Sequence, residues 1–365
     1  MSNAVIDQAE KVLAHTYKRF PLLIERGEGC TLFDDQNNAY TDFVAGIAVC
    51  NLGHAHSRVA AAIERQAKQL VHVSNLYYTQ PQVELAQWLV NNCFADRVFF
   101  CNSGAEANEA AIKLVRKYFK DNGQPQRFHI ISAQGSFHGR TMATLSATGQ
   151  EKIRKGFDPV LEGFDFVPFN DVPALKAAIG PETAAVLLEP IQGEGGVNMP
   201  AADYLAKVRR LCDEAGLLLI FDEIQTGMGR TGKLFAHQHF NVTPDIMTLA
   251  KALANGLPIG AMLATEKAAQ AFVPGSHAST FGGTPLVTAA ALEVTKVMDE
   301  MEVPARAAET GAHIKDRLAE LADRFEVIKE VRGLGLMIGI ELRVAAAPIV
   351  EMCMARGFFI NAVQE

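Results

Sequence analysis

The sequence predicts an α/β fold: a large domain with a mostly parallel central sheet flanked by helices, joined to a smaller α+β domain. Three observations carry this. From about residue 98, short apolar runs alternate with stretches whose apolar residues recur at helical spacing, the pattern of strand–helix–strand units. The runs at 185–188 and 217–221 are apolar throughout, as strands buried on both faces are. The chain has 365 residues, 49% of them hydrophobic, which is more than one core usually organises.

A hairpin is expected over 27–44, where Thr31-Leu-Phe33 and Ala39-Tyr-Thr-Asp-Phe43 flank the turn Asp34-Asp-Gln-Asn-Asn38. Helical spacing follows at 58–71 and 82–90. Strands are expected at 98–100, 128–131, 185–188, 217–221, 246–249 and 259–263. Helices are expected over 105–119, 171–179, 202–215 and 284–300. A helix at 308–324, strands at 327–331 and 336–342, a helix at 348–356 and a strand at 358–360 close the chain. This last block joins the hairpin in the smaller domain, so residues 1–50 and 301–365 flank a large domain of 51–300. The chain stops soon after a strand, with no closing helix, and reads as truncated.

Composition narrows the function. Net charge is −7 and no basic tract compensates locally, which argues against nucleic acid as a partner. The six cysteines are scattered without a CxxC pair, so neither a zinc site nor a disulfide framework is expected, and a reduced cytoplasmic protein is. Neither a signal-type leader nor an apolar run of membrane length is found.

Two charged residues end buried-looking runs. Asp222 follows 217–221, where open α/β sheets place ligands, and a half-desolvated acid there favours a cationic partner. That partner could be a protonated pyridine nitrogen or the cation of a structural ion pair. Lys251 follows 246–250; burial would make it a nucleophile, whereas at the surface it would be inert. Together the acid and the lysine suit pyridoxal phosphate, the lysine attaching the cofactor and the acid holding the ring nitrogen protonated. Glu223, next along, should face the other way.

Asn102-Ser-Gly-Ala-Glu106 opens a helix after a strand. Ser103 and Glu106 make an S-x-x-E capping box, Gly104 admits close approach of the backbone, and free first-turn amides bind phosphate. The same pattern also fits a plain capped helix. In Phe137-His-Gly-Arg140, the ring could stack on a cofactor and the guanidinium could fork a carboxylate, or merely pair at the surface. Ser279-Thr280-Phe-Gly-Gly283 offers hydroxyls for a phosphate or an ordinary polar turn.

Other motifs are weaker. Gly227-Met-Gly-Arg-Thr-Gly232 matches GxGxxG, the basis of an alternative nicotinamide-dependent dehydrogenase, but it neither follows a strand directly nor opens a convincing helix. His54-Ala-His56 and His237-Gln-His239 lack a neighbouring acid or cysteine in sequence, so no metal site is expected. The G-x-S-x-G elbow of serine hydrolases is missing.

Taken in order, these stretches resemble one family. Phe99-Phe-Cys-Asn-Ser-Gly-Ala-Glu-Ala-Asn108, Phe137-His-Gly-Arg-Thr141, Glu189-Pro-Ile-Gln-Gly-Glu-Gly-Gly196, Phe221-Asp-Glu-Ile-Gln-Thr-Gly227, Ala250-Lys-Ala252, Ser279-Thr-Phe-Gly-Gly283 and Arg332-Gly-Leu-Gly-Leu-Met337 are similar to the class III (ω-amino) aminotransferases of pyridoxal-phosphate fold type I. The resemblance is strongest to the acetylornithine branch. It implies pyridoxal 5'-phosphate as cofactor and transamination between N2-acetyl-L-ornithine and 2-oxoglutarate, giving N-acetyl-L-glutamate 5-semialdehyde and L-glutamate, in arginine biosynthesis. Succinylornithine, ornithine and 4-aminobutyrate are the other donors the family admits.

The resemblance also implies residue roles. Ser103, Gly104 and Ala105 hold the phosphate, joined by Thr280 across a homodimer interface. Phe137 stacks on the ring, Asp222 pairs with its nitrogen and Gln225 with its phenolic oxygen, with Glu223 in the same cofactor set. Lys251 carries the cofactor. Arg140 and Ser279 contact the amine substrate, and Glu194 is the switch acid that lets one pocket take ω-amine and α-amino-acid substrates. The sequence departs from the family at Ser57, usually Pro, and at Thr284, usually Asn. The family continues past residue 365 with a strand whose arginine binds the α-carboxylate of glutamate and 2-oxoglutarate, then a final helix.

Overall fold

The computed structural model describes residues 4–363; the outermost residues of both expected small-domain segments, 1–3 and 364–365, lie outside the described residues. At the N-terminus β1 (Ile24–Glu28), β2 (Thr31–Asp34) and β3 (Ala39–Asp42) form an antiparallel meander. It extends the expected hairpin by one strand. The Asp34 carboxylate shapes the turn, its Oδ1 accepting from the amides of Gln36 at 3.0 Å and Asn38 at 2.8 Å.

The large sheet contains β4 (Arg97–Cys101), β5 (His129–Ala133), β6 (Phe164–Val167), β7 (Thr183–Leu188), β8 (Leu218–Asp222), β9 (Ile246–Leu249) and β10 (Gly260–Ala264). Its order is β4-β10-β9-β8-β7-β5-β6. β10 runs antiparallel to both β4 and β9, whereas β5 to β9 are parallel. The segment 250–259 between β9 and β10 is too short for a parallel crossover, which explains the reversal. β6 escapes the hydrophobic pattern because Asp165 interrupts it; that carboxylate is satisfied by His129 Nδ1 on β5 at 2.8 Å.

Every residue of β7, β8, β9 and β10 is buried. The helices Gly104–Asp121, Tyr204–Ala215 and Pro285–Glu300 bury apolar faces in the cores on either side of them. Each fully covered Leu, Ile or Phe adds about 1.5–3 kcal/mol of burial, so these four strands form a stiff platform whose carboxyl ends are set by the core.

The C-terminal strands divide between two sheets. β11 (Ile328–Leu334) and β12 (Met337–Leu342) form a separate antiparallel ribbon beside the helix Val303–Arg324. β13 (Phe358–Phe359) joins the N-terminal meander, parallel to β3, and Phe359 stacks on Tyr40 with centroids 4.5 Å apart. Among the described residues, no helix is long and apolar enough to cross a membrane.

Candidate active site

The parallel strands and β4 point their carboxyl ends at one cavity of about 420 Å3. Segments after five strands supply the walls: Asn102 to Ala105 after β4, Phe137 to Arg140 after β5, Glu189, Ile191 and Glu194 after β7, Asp222 with Ile224, Gln225 and Thr226 at β8, and Ala250 with Lys251 after β9.

Asp222 is buried at the end of β8. Its Oδ2 accepts from Asn108 Nδ2 at 2.7 Å and His138 Nδ1 at 2.8 Å, and its Oδ1 accepts from the Ile224 amide at 3.1 Å. Asn108 is fixed in turn. It donates to the His138 carbonyl at 2.8 Å and accepts from Thr248 Oγ1 at 2.8 Å, the residue that the β8–β9 register places beside Asp222. Such a network holds a carboxylate in one orientation. Neither Asn108 nor His138 is assigned a role by sequence reasoning. Asn108 carries a signal in retrospect, a polar residue on the apolar face of an otherwise amphipathic helix.

Lys251 begins a short 3-10 turn directly after β9 and has φ 42°, a left-handed conformation that costs a non-glycine residue of order 1–3 kcal/mol. Desolvation lowers its ammonium pKa, opposed by the carboxylates of Glu194, Asp222 and Glu189. A strained, desolvated amine in a cavity with a fixed acid fits a nucleophile and is foreign to an inert surface lysine.

Ser103 caps the helix Gly104–Asp121, its Oγ accepting from the Glu106 amide at 3.2 Å. The reciprocal half of the expected capping box goes elsewhere: Glu106 Oε2 accepts from the amide and side chain of Asn102, at 2.6 and 2.9 Å. The helix's first amides have no acceptor within the helix and open on the cavity, the arrangement that binds a phosphate. The need for glycine at 104 also has a protein-side cause, since a Cβ there would lie 2.7 Å from Ile224 Cδ1.

Phe137 lines the cavity, and its amide donates to Glu189 Oε2 at 3.1 Å. Arg140 is exposed at the mouth with its guanidinium 5.6 Å from the Phe137 ring centroid. Gln225 Nε2 donates to Glu194 Oε1 at 3.3 Å, and Gly193 leaves the space Gln225 occupies, because a Cβ there would lie 1.6 Å from its Oε1. Glu189 escapes sequence reasoning although it ends an apolar strand just as Asp222 does. It is buried, and burial pushes its carboxyl up to about 7.

Three expected residues do not line this cavity. Glu223 turns to the other face of β8, where its carboxylate accepts from the amides of Ala236 and His237 and from His237 Nδ1; this corrects its place in the cofactor set. Ser279 Oγ is engaged with Asn102 Nδ2 at 3.2 Å and the Gly282 amide at 3.0 Å. Thr280 is exposed. The glycines of 227–232 lie in a loop between β8 and the short helix His237–Phe240, with Gly232 packed on Ala308. That placement removes the basis for a dinucleotide site. Both histidine pairs do meet an acid in space, His54 with Asp42 at 2.7 Å and His237 with Glu223 at 2.8 Å. No third potential ligand joins either pair among the described residues.

A mixed α/β sheet whose carboxyl edge sets a fixed acid against a desolvated lysine defines an enzyme of the pyridoxal-phosphate type. The chain belongs to the class III aminotransferases, whose family model matches residues 12–365. It is 52% identical over 365 residues to the acetylornithine aminotransferase of Thermosynechococcus vestitus, covering 97% of this chain and 88% of that protein. The fold is similar to the ornithine aminotransferase of Toxoplasma gondii, with a TM-score of 0.95 at 34% identity over 100% of this chain and 88% of that one; in that structure pyridoxal phosphate partly occupies the active site. It is also similar to the N-acetylornithine aminotransferase of Stenotrophomonas maltophilia, with a TM-score of 0.82 at 40% identity, covering 97% and 89% of the two chains.

Proposed function

We propose that this aminotransferase moves the δ-amino group of N2-acetyl-L-ornithine to 2-oxoglutarate, with pyridoxal 5'-phosphate as cofactor, in arginine biosynthesis. The observation that carries the chemistry is the pairing of Asp222 and Lys251 across one cavity. The substrate rests on the 52% identity to an acetylornithine aminotransferase. When bound, the cofactor ring supplies an electron sink for the carbon that bears the amine.

The residues divide the remaining work. The first-turn amides at Ser103, Gly104 and Ala105 would bind the phosphate, Phe137 would cover the ring and Gln225 would meet its phenolic oxygen. Asp222, kept in place by Asn108 and His138, would hold a proton on the ring nitrogen. Lys251 would attach the cofactor and, once displaced by the amine, carry the proton from the substrate carbon. Arg140 at the mouth would bind the substrate carboxylate, Ser279 would contact the same substrate, and Glu194 would act as the switch acid.

The protein is proposed to be a cytoplasmic homodimer in which Thr280 reaches the partner's phosphate site. Thr280 faces outward beside Phe281, and Asn75 Nδ2 ties the backbone of 279 and 282 to the segment bearing Leu76 and Tyr78, which are 80% and 96% exposed. An apolar patch of that kind suits a protein interface.

The test is a steady-state panel with 2-oxoglutarate as acceptor. N-acetylornithine should show the highest kcat/KM among N-acetylornithine, succinylornithine, ornithine and 4-aminobutyrate; a higher value for any other donor overturns the substrate. Lys251→Ala should lose both turnover and the visible absorbance of bound cofactor, and retention of either overturns the site.

A further inference from the structure

Arg332, in the Arg-Gly-Leu-Gly stretch of β11, touches neither the cavity nor the cofactor residues, yet it reaches the turn that carries Glu194. Its Nε donates to the Val197 carbonyl at 3.0 Å and its Nη2 to the Gly196 carbonyl at 2.7 Å. Its Nη1 is held by the carboxylates of Glu330 and Glu341 on the ribbon. The ribbon also packs there directly, since a Cβ on Gly339 would lie 2.8 Å from Val197 Cβ.

The turn needs holding. Val197 has φ 53°, a conformation that a β-branched residue rarely adopts, and Gly196 has φ 114°. The turn is closed on one side by the backbone pair of Gln192 and Asn198 and by the Gly193 amide donating to Glu189 Oε1 at 3.1 Å. Gly196 and Val197 donate back to the Gly193 carbonyl, at 3.0 and 3.1 Å. The Arg332 fork fixes the far side, and Glu194 stands between these two anchorages. The ribbon is itself tied to the large domain, where the Leu336 amide donates to the Arg230 carbonyl at 2.9 Å.

We propose that Arg332 is a positioning residue for Glu194, and that the β11–β12 ribbon thereby sets how the pocket discriminates between the ω-amine donor and the α-keto acid. A carboxylate that discriminates between substrates by charge must keep its place to within a fraction of an ångström, and a strained turn left unclamped would let it drift. The inference rests on the reading of Glu194 as the switch acid. Arg332→Lys keeps the charge facing Glu330 and Glu341 but cannot fork two carbonyls.

The experiment compares wild-type holoenzyme, Arg332→Lys, Glu194→Gln and the double variant in the two half-reactions, followed by cofactor absorbance, together with amide hydrogen exchange over 192–198. Arg332→Lys should keep cofactor occupancy and melting temperature near wild type and speed exchange in that segment. It should shift the ratio of kcat/KM for N-acetylornithine to that for 2-oxoglutarate about tenfold, the scale of one hydrogen bond to a charged group. Glu194→Gln should shift the same ratio, and the double variant should shift it no further. A shifted ratio in Glu194→Gln beside an unshifted one in Arg332→Lys, or additive shifts in the double variant, overturns the role of Arg332 alone. An unshifted ratio in Glu194→Gln overturns the reading beneath it. Should Arg332→Lys not fold, Gly339→Ala presses on the same turn from the ribbon and carries the same expectations for exchange and for the ratio.

Discussion

His138 Nδ1 lies 2.8 Å from Asp222 Oδ2, with both side chains buried and both residues lining the cavity. The far ring nitrogen, Nε2, is 3.1 Å from Ser132 Oγ on β5, so the imidazole bridges β5 and β8 of the large sheet. Asp222 thus enters the cavity already oriented, with Asn108 on the same oxygen at 2.7 Å.

His138→Ala removes one of those two donors and leaves the other. Its expected effect is a loss of activity of about tenfold to a hundredfold, while Asp222→Asn, which removes the charge itself, should cost about a hundredfold to a thousandfold. Both are read as kcat/KM at saturating cofactor. Equal, small losses in the two variants would mean that the charge of Asp222 does not support the reaction.

Glu189 gives a pH-dependence with a definite sign. Burial raises its carboxyl to about 7 from an ordinary value of 4.5. The folded protein therefore holds more protons than the unfolded chain between those values. The stability this group contributes is complete below its unfolded pKa and is lost as pH rises through about 7, a change of roughly 3 kcal/mol. Glu189→Gln cannot titrate. Without cofactor, the urea midpoint of the wild type should fall relative to that of the variant from about pH 5 to about pH 8. Parallel curves would show a carboxylate ionised throughout.

The platform was legible in the sequence because its causes are local. Runs such as Leu217 to Phe221 are apolar without interruption, and an acid or a lysine at the end of such a run falls on the carboxyl edge. What escaped depends on pairing in space. The reversal of β10 follows from the length of a connection, and the edge strand β6 is masked by Asp165, whose partner His129 lies 36 residues away. Asn108 and His138 gain meaning only once the helix and the loop after β5 converge on Asp222. At Glu223 the strand reading prevails over the family resemblance: alternation turns it away from Asp222, and its carboxylate meets Ala236 and His237 instead of the cavity.

Arg140 stands exposed at the mouth, over the Phe137 ring. Replacing it with alanine should raise KM for the amine donor about tenfold to a hundredfold, the scale of a lost charge-assisted hydrogen bond. Cofactor affinity, measured by titration of the unloaded protein, should change by less than about threefold, because the phosphate and ring contacts lie deeper. Equal losses of both would contradict a role confined to the substrate carboxylate.

Gly260 opens β10, and a Cβ there would lie 2.3 Å from the Ser103 carbonyl and 2.9 Å from Cys101 Sγ. The first contact is with backbone, which cannot swing aside as the tip of a side chain can. Ser103 is the cap of the helix whose first turn faces the cavity, so Gly260→Ala must move either β10 or that cap. β10 is the less mobile of the two, being hydrogen-bonded to β4 and β9 along both edges and buried throughout. The strain is therefore expected to fall on 102–104, costing about 1–3 kcal/mol of overall stability and displacing the phosphate-facing amides. Cofactor affinity should fall at least tenfold, a larger change than that caused by Gly180→Ala, where a Cβ meets nothing within 4 Å and the backbone has no left-handed φ. A Gly260→Ala protein that binds cofactor as tightly as wild type would show that the phosphate is held elsewhere than at this helix start.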